Sequence, residues 1–221
     1  DGVSEFDRGD YQITLDRCLK EIGWTEKAAL NGTLIDGRYH GLGLGCFIEG
    51  GAAGPKETAR LILEADGGVA VYVGSSAIGQ GLETVFMQIA ADALEMPISG
   101  MRVFHGSTTL LDEGYGSYHS RAVVMGGSAV LEAAGKLRTA IAAAAARRFG
   151  CSPAEVELLD DRAVASGGRA VAFAELAGER LVADGSFSNH HHTYSYGAHA
   201  AHVAVDPKTG AVEIVDYAAI E

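Results

Sequence analysis

A glycine-rich turn followed by an amphipathic helix decides the fold of this chain, and the turn reads GSSAIGQGLET over residues 74–84. After it, apolar residues recur with helical spacing at positions 82, 85, 86, 89, 90, 93 and 94, which predicts a helix over 82–95. Pro97 ends that helix, because the residue before a proline avoids the helical conformation. Before the turn, two alternating apolar runs within 59–74 flank a DGG sequence at 66–68 and predict a β-hairpin.

The pattern of the other predicted elements sets the fold class. Apolar spacing and turn residues predict helices over 10–22 and 121–149, strands over 41–49, 101–105, 156–159, 163–166 and 170–173, and a second hairpin over 198–205 and 211–219. Strands and helices mix without strict alternation, which favours an α+β fold with mixed sheets and packed helices. We expect two regions: residues 1–55, with the first helix and a glycine-rich strand, and residues 56–221, an α+β domain.

Composition and charge exclude several classes of protein. A chain of 221 residues can bury a core without disulfides or metal, and a net charge of −12 argues against general binding of nucleic acid. The three cysteines form no CxxC pair, so we expect neither a zinc site nor an iron–sulfur cluster on this chain. The sequence has no long apolar run and no signal peptide at its start, and we expect a cytoplasmic protein without membrane contact.

The 30 glycines, nearly twice the usual share of ~7%, cluster at possible ligand sites. The first cluster, Gly79-Gln80-Gly81, stands at the start of the predicted 82–95 helix. A helix N-terminus carries unpaired N–H groups and a partial positive charge, and glycine there lets an anionic ligand approach the backbone. The alternative is a plain turn from strand to helix, and spacing alone does not decide between the two.

The second cluster, GYGSYHSR over 114–121, also precedes a predicted helix. Arg121 could form a bidentate pair with a phosphate, and Ser117 and Ser120 could donate hydroxyl hydrogen bonds. Together the two loops predict one extended, phosphorylated ligand held between two helix N-termini that face a shared cleft. The alternative is that Arg121 pairs with a local carboxylate such as Asp112 or Glu113.

Histidines at 190–192, 199 and 202 raise the question of a metal site. Adjacent residues on an extended chain point to opposite sides, so three in a row do not reach one ion without an unusual turn. We therefore predict no metal ligands on this chain. The sequence also contains no G-x-S-x-G, H-E-x-x-H or P-loop motif, which argues against the common hydrolases and nucleotide-binding enzymes.

Several stretches together resemble the molybdenum-cofactor-binding large subunits of the xanthine dehydrogenase/aldehyde oxidase family. Residues 74–84 are similar to the family's G-x-x-x-x-G-Q-G-x-x-T signature, and residues 116–121 resemble its G-x-x-x-S-R loop. Residues 103–108 look like its V-x-x-G-D-T strand, and residues 196–210 look like its Y-G-A-H…V-x-V-D-P-x-T-G hairpin. The likeness covers nearly the whole chain and is strongest to the bacterial carbon-monoxide-dehydrogenase-like branch.

This resemblance implies a molybdopterin-binding domain over 56–221. The cofactor would be molybdopterin, as the cytosine dinucleotide usual in bacteria, in an enzyme that hydroxylates an aldehyde, an N-heterocycle or a similar substrate with oxygen from water. The resemblance implies that Gln80 lies beside molybdenum. The cofactor-binding residues that it implies are Gly79, Gln80, Gly81, Thr84, Tyr118, His119, Ser120, Arg121, Ala122 and Val123. Expected partners are the rest of the large subunit or a companion molybdenum subunit, subunits or domains with iron–sulfur clusters and flavin, and a small-molecule substrate.

Two departures from the family pattern matter. His119 stands where glycine is frequent, and Ala122-Val123 replace the common Ser-Thr, which removes two hydroxyls and adds bulk. No segment matches the family's catalytic glutamate, and we assign that role to none of Glu49, Glu57 and Glu83. We therefore expect a fragment, or one chain of a split enzyme, that is not active alone. Two alternatives remain: a non-catalytic interaction or assembly domain that kept the fold without the cofactor, and a general nucleotide-binding module.

Overall fold

The computed structural model describes residues 6–190 and 193–221, which form two compact units. Unit 1 combines the two ends of the chain, Asp1–Gly51 and His192–Glu221, and unit 2 is Ala52–His191. The first boundary lies close to the one predicted after residue 55. The continuous second region predicted over 56–221 is not observed, because the C-terminal hairpin pairs along its length with a strand of unit 1.

The elements follow one another along the chain as helices and strands of very different lengths. The α-helices are α1 (Tyr11–Ile22), α2 (Trp24–Lys27), α3 (Leu82–Leu94), α4 (Ser128–Phe149) and α5 (Phe173–Leu176). The strands are β1 (Leu34–Ile35), β2 (Arg38–Gly51), β3 (Glu57–Leu63), β4 (Val69–Val73), β5 (Met101–Phe104), β6 (Val156–Leu159), β7 (Arg162–Ala165), β8 (Arg169–Ala172), β9 (Val182–Phe187), β10 (Thr193–Val205) and β11 (Val212–Ile220). In the described part of the chain, no helix is long and apolar enough to cross a membrane.

Unit 1 is an antiparallel sheet, in the order β1-β2-β10-β11, with α1 on one face. The carboxylate of Asp10 accepts a hydrogen bond from the Ile13 amide and caps the start of α1, and Gly23 ends the helix at a positive φ of 67°. The helix buries Cys18 and Ile22 against small side chains of β10 and β11. The predicted first helix and second hairpin are confirmed.

Unit 2 holds the larger core, between helices α3 and α4 and a sheet in the order β5-β4-β3-β9. The 59–74 hairpin is present as β3 and β4, with buried residues alternating along β3, and α3 follows as predicted. β6, β7 and β8 form a small antiparallel sheet. These elements confirm the mixed α+β class.

The long predicted helix after residue 121 begins as a π-helix over Ala122–Gly127 and continues as α4. The two glycines of the π segment allow close packing on α3. A Cβ on Gly126 would lie 2.9 Å from Cζ of Phe86, and one on Gly127 would lie 2.9 Å from Cδ1 of Ile89. π segments inside helices occur frequently at functional sites.

A buried ion pair joins the start of β3 to the start of the π segment. Nη1 of Arg121 lies 2.8 Å from Oε2 of Glu57, and both side chains are 0% exposed. The Glu57 carboxylate also accepts hydrogen bonds from the Ser75 hydroxyl at 2.9 Å and from the amides of Thr58 and Tyr115. The pair therefore connects β3, the turn after β4 and the loop before the π segment.

Replacing Glu57 by glutamine is expected to lower the free energy of unfolding by about 3–5 kcal/mol, since it leaves the buried Arg121 charge without a counter-charge. The side-chain NH2 of the introduced glutamine would also face the hydroxyl and amide donors that now bond to the Glu57 carboxylate. Glu179→Gln, which removes an exposed partner of Arg147, is the control and should cost about 0–1 kcal/mol. Urea unfolding followed by circular dichroism measures both. Equal losses for the two variants would show that the buried pair contributes no more than a surface pair.

The turn between β3 and β4 contains a carboxylate with a lowered pKa. Hydrogen bonds from the Arg102 side chain, and a weaker contribution from the Gly68 amide, lower the pKa of Asp66 to about 2. Because the pKa of Asp66 is lower in the folded than in the unfolded chain, its ionised carboxylate stabilises the fold. This stabilisation is fully present above the pKa of Asp66 in the unfolded chain, and it is lost as the pH falls through about 2. We expect Asp66→Asn to lower the melting temperature at pH 7 and to approach the wild-type value between pH 4 and pH 2. A difference that is constant with pH would contradict this assignment.

Candidate functional site

The two glycine-rich loops line one pocket of unit 2. The pocket has a volume of about 420 Å³, and its lining residues are Ile78, Gln80, Ser117, Tyr118, His119, Ser120, Arg121, Ala122 and Val123. The shared cleft predicted from the sequence is therefore present. Sequence reasoning missed Ile78, an apolar residue of the first loop that is 78% exposed.

The first loop contains two glycines in left-handed conformations. Gly79 has a φ of 106° and Gly81 a φ of 76°, and a Cβ at either position would meet no atom within 4 Å. The need for glycine here is therefore conformational rather than steric. Between them, the side-chain oxygen of Gln80 accepts a hydrogen bond from the Ile78 amide at 2.6 Å. In the described part of the chain the Gln80 side-chain NH2 has no partner, so it can donate to a ligand.

Helix α3 begins directly after this loop and has no side-chain cap at Gly81. The amides of its first turn have no intrahelical acceptor, and together they carry a partial positive charge. Thr84 lies exposed on this first turn, but it does not line the pocket. The start of the π segment is similar, because Arg121 at its N-cap makes no side-chain capping bond.

The second loop contains two consecutive residues in the left-handed region, His119 with a φ of 45° and Ser120 with a φ of 49°. Left-handed conformations cost non-glycine residues roughly 1–2 kcal/mol each. This backbone explains physically why glycine would suit position 119. The hydroxyl of Ser117 donates to the carbonyl of Ser76 at 2.6 Å and so ties this loop to the first.

Arg121 does not have the predicted role of a phosphate ligand through its side chain. Its guanidinium is completely buried and donates to the carbonyls of Ala53, Lys56 and Gly116 as well as to Glu57. The alternative, that Arg121 pairs with a carboxylate, gave the right kind of partner. It named Asp112 or Glu113, whereas the partner is Glu57. Glu57 is 64 residues away in the chain, and nothing in the sequence distinguishes it from a polar residue that begins a strand.

The exposed part of the second loop is mainly apolar and aromatic. Tyr118 is 49% exposed, and its ring centroid lies 5.2 Å from the Arg121 guanidinium carbon. Val123 is 50% exposed at the pocket, where it and the half-buried Ala122 begin the π segment. With the Arg121 cation sequestered, the polar groups at this pocket are backbone amides, Gln80 and the side chains of Tyr118, His119 and Ser120.

A histidine–glutamate pair stands at the start of α3, beside the first loop. Nε2 of His105, the residue directly after β5, lies 3.1 Å from Oε1 of Glu83. This hydrogen bond lowers the pKa of Glu83, so the carboxylate stays ionised to a lower pH than an ordinary glutamate would. A negative charge in the first turn of a helix is favourable for the helix dipole. Glu83 is thus engaged in stabilising the helix start.

His40, His199 and His202 lie in unit 1 and pair locally. Nδ1 of His40 lies 2.8 Å from Nε2 of His202, and Nδ1 of His199 lies 2.7 Å from the Tyr217 hydroxyl. Burial is the main cause that lowers the pKa of His202. Over residues 6–190 and 193–221, no three histidine, cysteine or acidic side chains are grouped as metal ligands. His191 and His192 of the predicted histidine group lie outside the described residues.

Comparison with known proteins identifies the family. A family model of the molybdopterin cofactor-binding domain matches residues 17–221. The gamma subunit of the 6-hydroxypseudooxynicotine dehydrogenase complex of Paenarthrobacter nicotinovorans is 29% identical over 227 aligned positions, which cover 96% of this chain and 29% of that protein. The probable hypoxanthine oxidase XdhD of Escherichia coli K12 is 33% identical over 168 positions, which cover 72% of this chain and 17% of that protein.

A solved structure gives the same result. Quinoline 2-oxidoreductase from Pseudomonas putida 86 matches with a TM-score of 0.74 and 25% identity, over 96% of this chain and 30% of that one. The chain thus spans less than a third of the length of the relatives that it matches. Since the family model covers most of its residues, the chain belongs to the molybdopterin cofactor-binding domains of the molybdenum hydroxylase family, as the sequence predicted.

Proposed function

We propose that the pocket between residues 78–81 and 117–123 holds part of a molybdenum cofactor in the form of molybdopterin cytosine dinucleotide. The observation that carries this proposal is that two uncapped helix starts, near residues 80 and 121, border one pocket. Paired helix N-termini suit the phosphates of such a ligand. The full set of proposed contacts is Gly79, Gln80, Gly81, Thr84, Tyr118, His119, Ser120, Ala122 and Val123. Arg121 is fully buried and its amide donates to the Tyr118 carbonyl, so it supports the second loop without touching the ligand.

The chemistry of the donors fits a group with phosphates and a polar ring system. The first-turn amides of α3 supply N–H donors for phosphate oxygens. The NH2 of Gln80 supplies a neutral donor, which we assign to the neighbourhood of the metal. The exposed ring of Tyr118 and the side chain of Val123 supply apolar surface for the pterin. A neutral amide can orient a ligand without adding charge beside a redox centre.

The proposed enzyme hydroxylates an aldehyde, an N-heterocycle or a similar small molecule. When bound, the cofactor supplies the two-electron oxidation that accompanies transfer of oxygen from water. This chain would bind and orient the cofactor, and a glutamate outside its residues would serve as the base. Glu57 is committed to Arg121, and Glu83 is paired with His105.

The relatives support a larger assembly. One is the gamma subunit of a complex, and the chain covers only part of each relative. We propose that it works with the rest of a large subunit or a companion molybdenum subunit, and with iron–sulfur and flavin domains or subunits that carry electrons away. We further propose a cytoplasmic location and no activity for the isolated chain.

Replacing Gln80 by alanine in the complete enzyme is expected to lower kcat by about 100-fold or more, as the loss of one well-placed donor commonly does. Gln88→Ala is the matched control, since Gln88 is exposed on the same helix and does not line the pocket. Mass spectrometry of metals and release of cytidine monophosphate by acid measure the cofactor directly. Equal molybdenum content and turnover in the two variants would refute the assignment of Gln80.

The replacement of Ser-Thr by Ala122-Val123 favours one rival function, a non-catalytic assembly domain. The exposed Val123 and Ile78 at the pocket give that rival an apolar contact surface. A complete wild-type protein with no molybdenum, no cytidine monophosphate and no redox activity would favour the rival over the cofactor-binding function. Micromolar binding of common nucleotides to this chain in calorimetry would instead favour a general nucleotide-binding module.

A further inference from the structure

We propose that the buried Glu57–Arg121 pair positions the pocket, by holding residues 117–120 in a turn that this sequence would not keep without it. The functional meaning of this inference rests on the proposed function, since it concerns the wall of the same pocket. Glu57 and Arg121 would act through the backbone of the loop and would not touch the ligand themselves. They are therefore positioning residues.

The turn is unfavourable by itself. His119 and Ser120 are consecutive non-glycine residues with φ angles of 45° and 49°. Each left-handed residue of this kind disfavours its conformation by about tenfold in an equilibrium constant. Both residues could instead adopt the right-handed helical or the extended backbone conformation. Contacts from outside the turn must therefore select this conformation.

Those contacts come from the segment before and at the start of β3. Nη1 of Arg121 donates to the Gly116 carbonyl at 2.7 Å as well as to Glu57, so the guanidinium holds the residue before the turn. At the other end, the Ser120 carbonyl accepts from the Ala52 amide at 3.2 Å. Within the turn, the Arg121 amide donates to the Tyr118 carbonyl at 3.1 Å. The turn is therefore held at one end by the Ala52 amide and at the other by the Arg121 guanidinium, which Glu57 fixes in place.

Backbone carbonyls and Gly54 closely surround the rest of the guanidinium. Nε and Nη2 of Arg121 donate to the carbonyls of Ala53 and Lys56 at 2.7 and 2.5 Å. Gly54 lies so close that a Cβ there would be 2.7 Å from the Tyr118 hydroxyl and 3.2 Å from Nε of Arg121. Glu57 supplies the only carboxylate in direct contact with Arg121 among the described residues. Losing it would release the side that holds Gly116.

Hydrogen–deuterium exchange of this chain tests the proposal without any cofactor. In Glu57→Gln, and in the milder Glu57→Asp that keeps the charge but shortens the side chain, amide exchange over 117–125 should accelerate by about tenfold or more. In Glu57→Asp, exchange in the middle of α4 should stay at the wild-type rate. In Glu57→Gln it rises with the loss of global stability, so the comparison between the loop and α4 rests on Glu57→Asp. Wild-type rates over 117–125 in a folded Glu57→Asp protein, or an acceleration that is equal throughout unit 2, would overturn the proposal.

A second substitution separates positioning from general stability. His119→Gly removes the conformational cost at a φ of 45°, so in the Glu57→Asp background it should restore protection over 117–125 by about tenfold. Arg180→Gly is the matched control, because Arg180 is exposed, has a φ of 54° and ends a separate turn after Ala177–Glu179. It should leave exchange over 117–125 unchanged. Equal rescue by both glycines would overturn the proposal.

The two proposals can fail separately. A complete wild-type enzyme without molybdenum would refute the proposed function, while the exchange pattern of the Glu57 variants would still report on positioning. Conversely, a molybdenum-containing enzyme whose Glu57→Asp variant keeps wild-type exchange would refute only the positioning role. In the complete enzyme, Glu57→Asp should lower the molybdenum content and His119→Gly should recover part of it. A loss that His119→Gly does not recover would contradict positioning through the turn.

Discussion

The contact between the carboxylate of Glu57 and the guanidinium of Arg121 is the constraint on which the site depends. Two charges without solvent exposure carry a large desolvation cost, and only good geometry with further hydrogen bonds offsets it. Here three backbone carbonyls join Glu57 around one guanidinium, and three further donors join Arg121 around one carboxylate. The result is a fixed relation between the strand that begins at Glu57 and the loop that ends at Arg121, which an apolar contact of the same size would not specify.

Much of the fold could be predicted because its signals are local. The periodicity of α3, the turn at 66–68 and the helix after residue 121 each lie within one short segment, and the structure confirms them. The features that the sequence did not predict are contacts between segments that lie far apart in the chain. β10 lies beside β2 across about 150 residues of sequence, and β9 packs its Gly185 against the α4 backbone, where a Cβ would lie 2.1 Å from the Ala129 carbonyl oxygen. Neither of these two contacts is indicated by the residues of one segment alone.

The site shows the same division between local and distant information. Both loops were identifiable, because glycine before a helix is a local pattern, and they do line one pocket. The role of Arg121 was wrong, because the sequence gives a residue's charge but not its burial. Its partner Glu57 is separated from it by 64 positions. The left-handed φ of His119 was likewise invisible, although the expectation of glycine at that position was its indirect sign.

The burial of Arg121 changes how an acidic chain could hold a phosphorylated ligand. With a net charge of −12 and this cation neutralised by Glu57, long-range attraction contributes little, and the proposed cofactor would depend on short-range donors, of which the backbone amides are a large part. Such donors act only when the backbone already has the right shape, because a helix start offers its N–H groups in one direction. Positioning then replaces charge as the source of affinity. This is why a buried pair that never touches the ligand can decide whether the site forms.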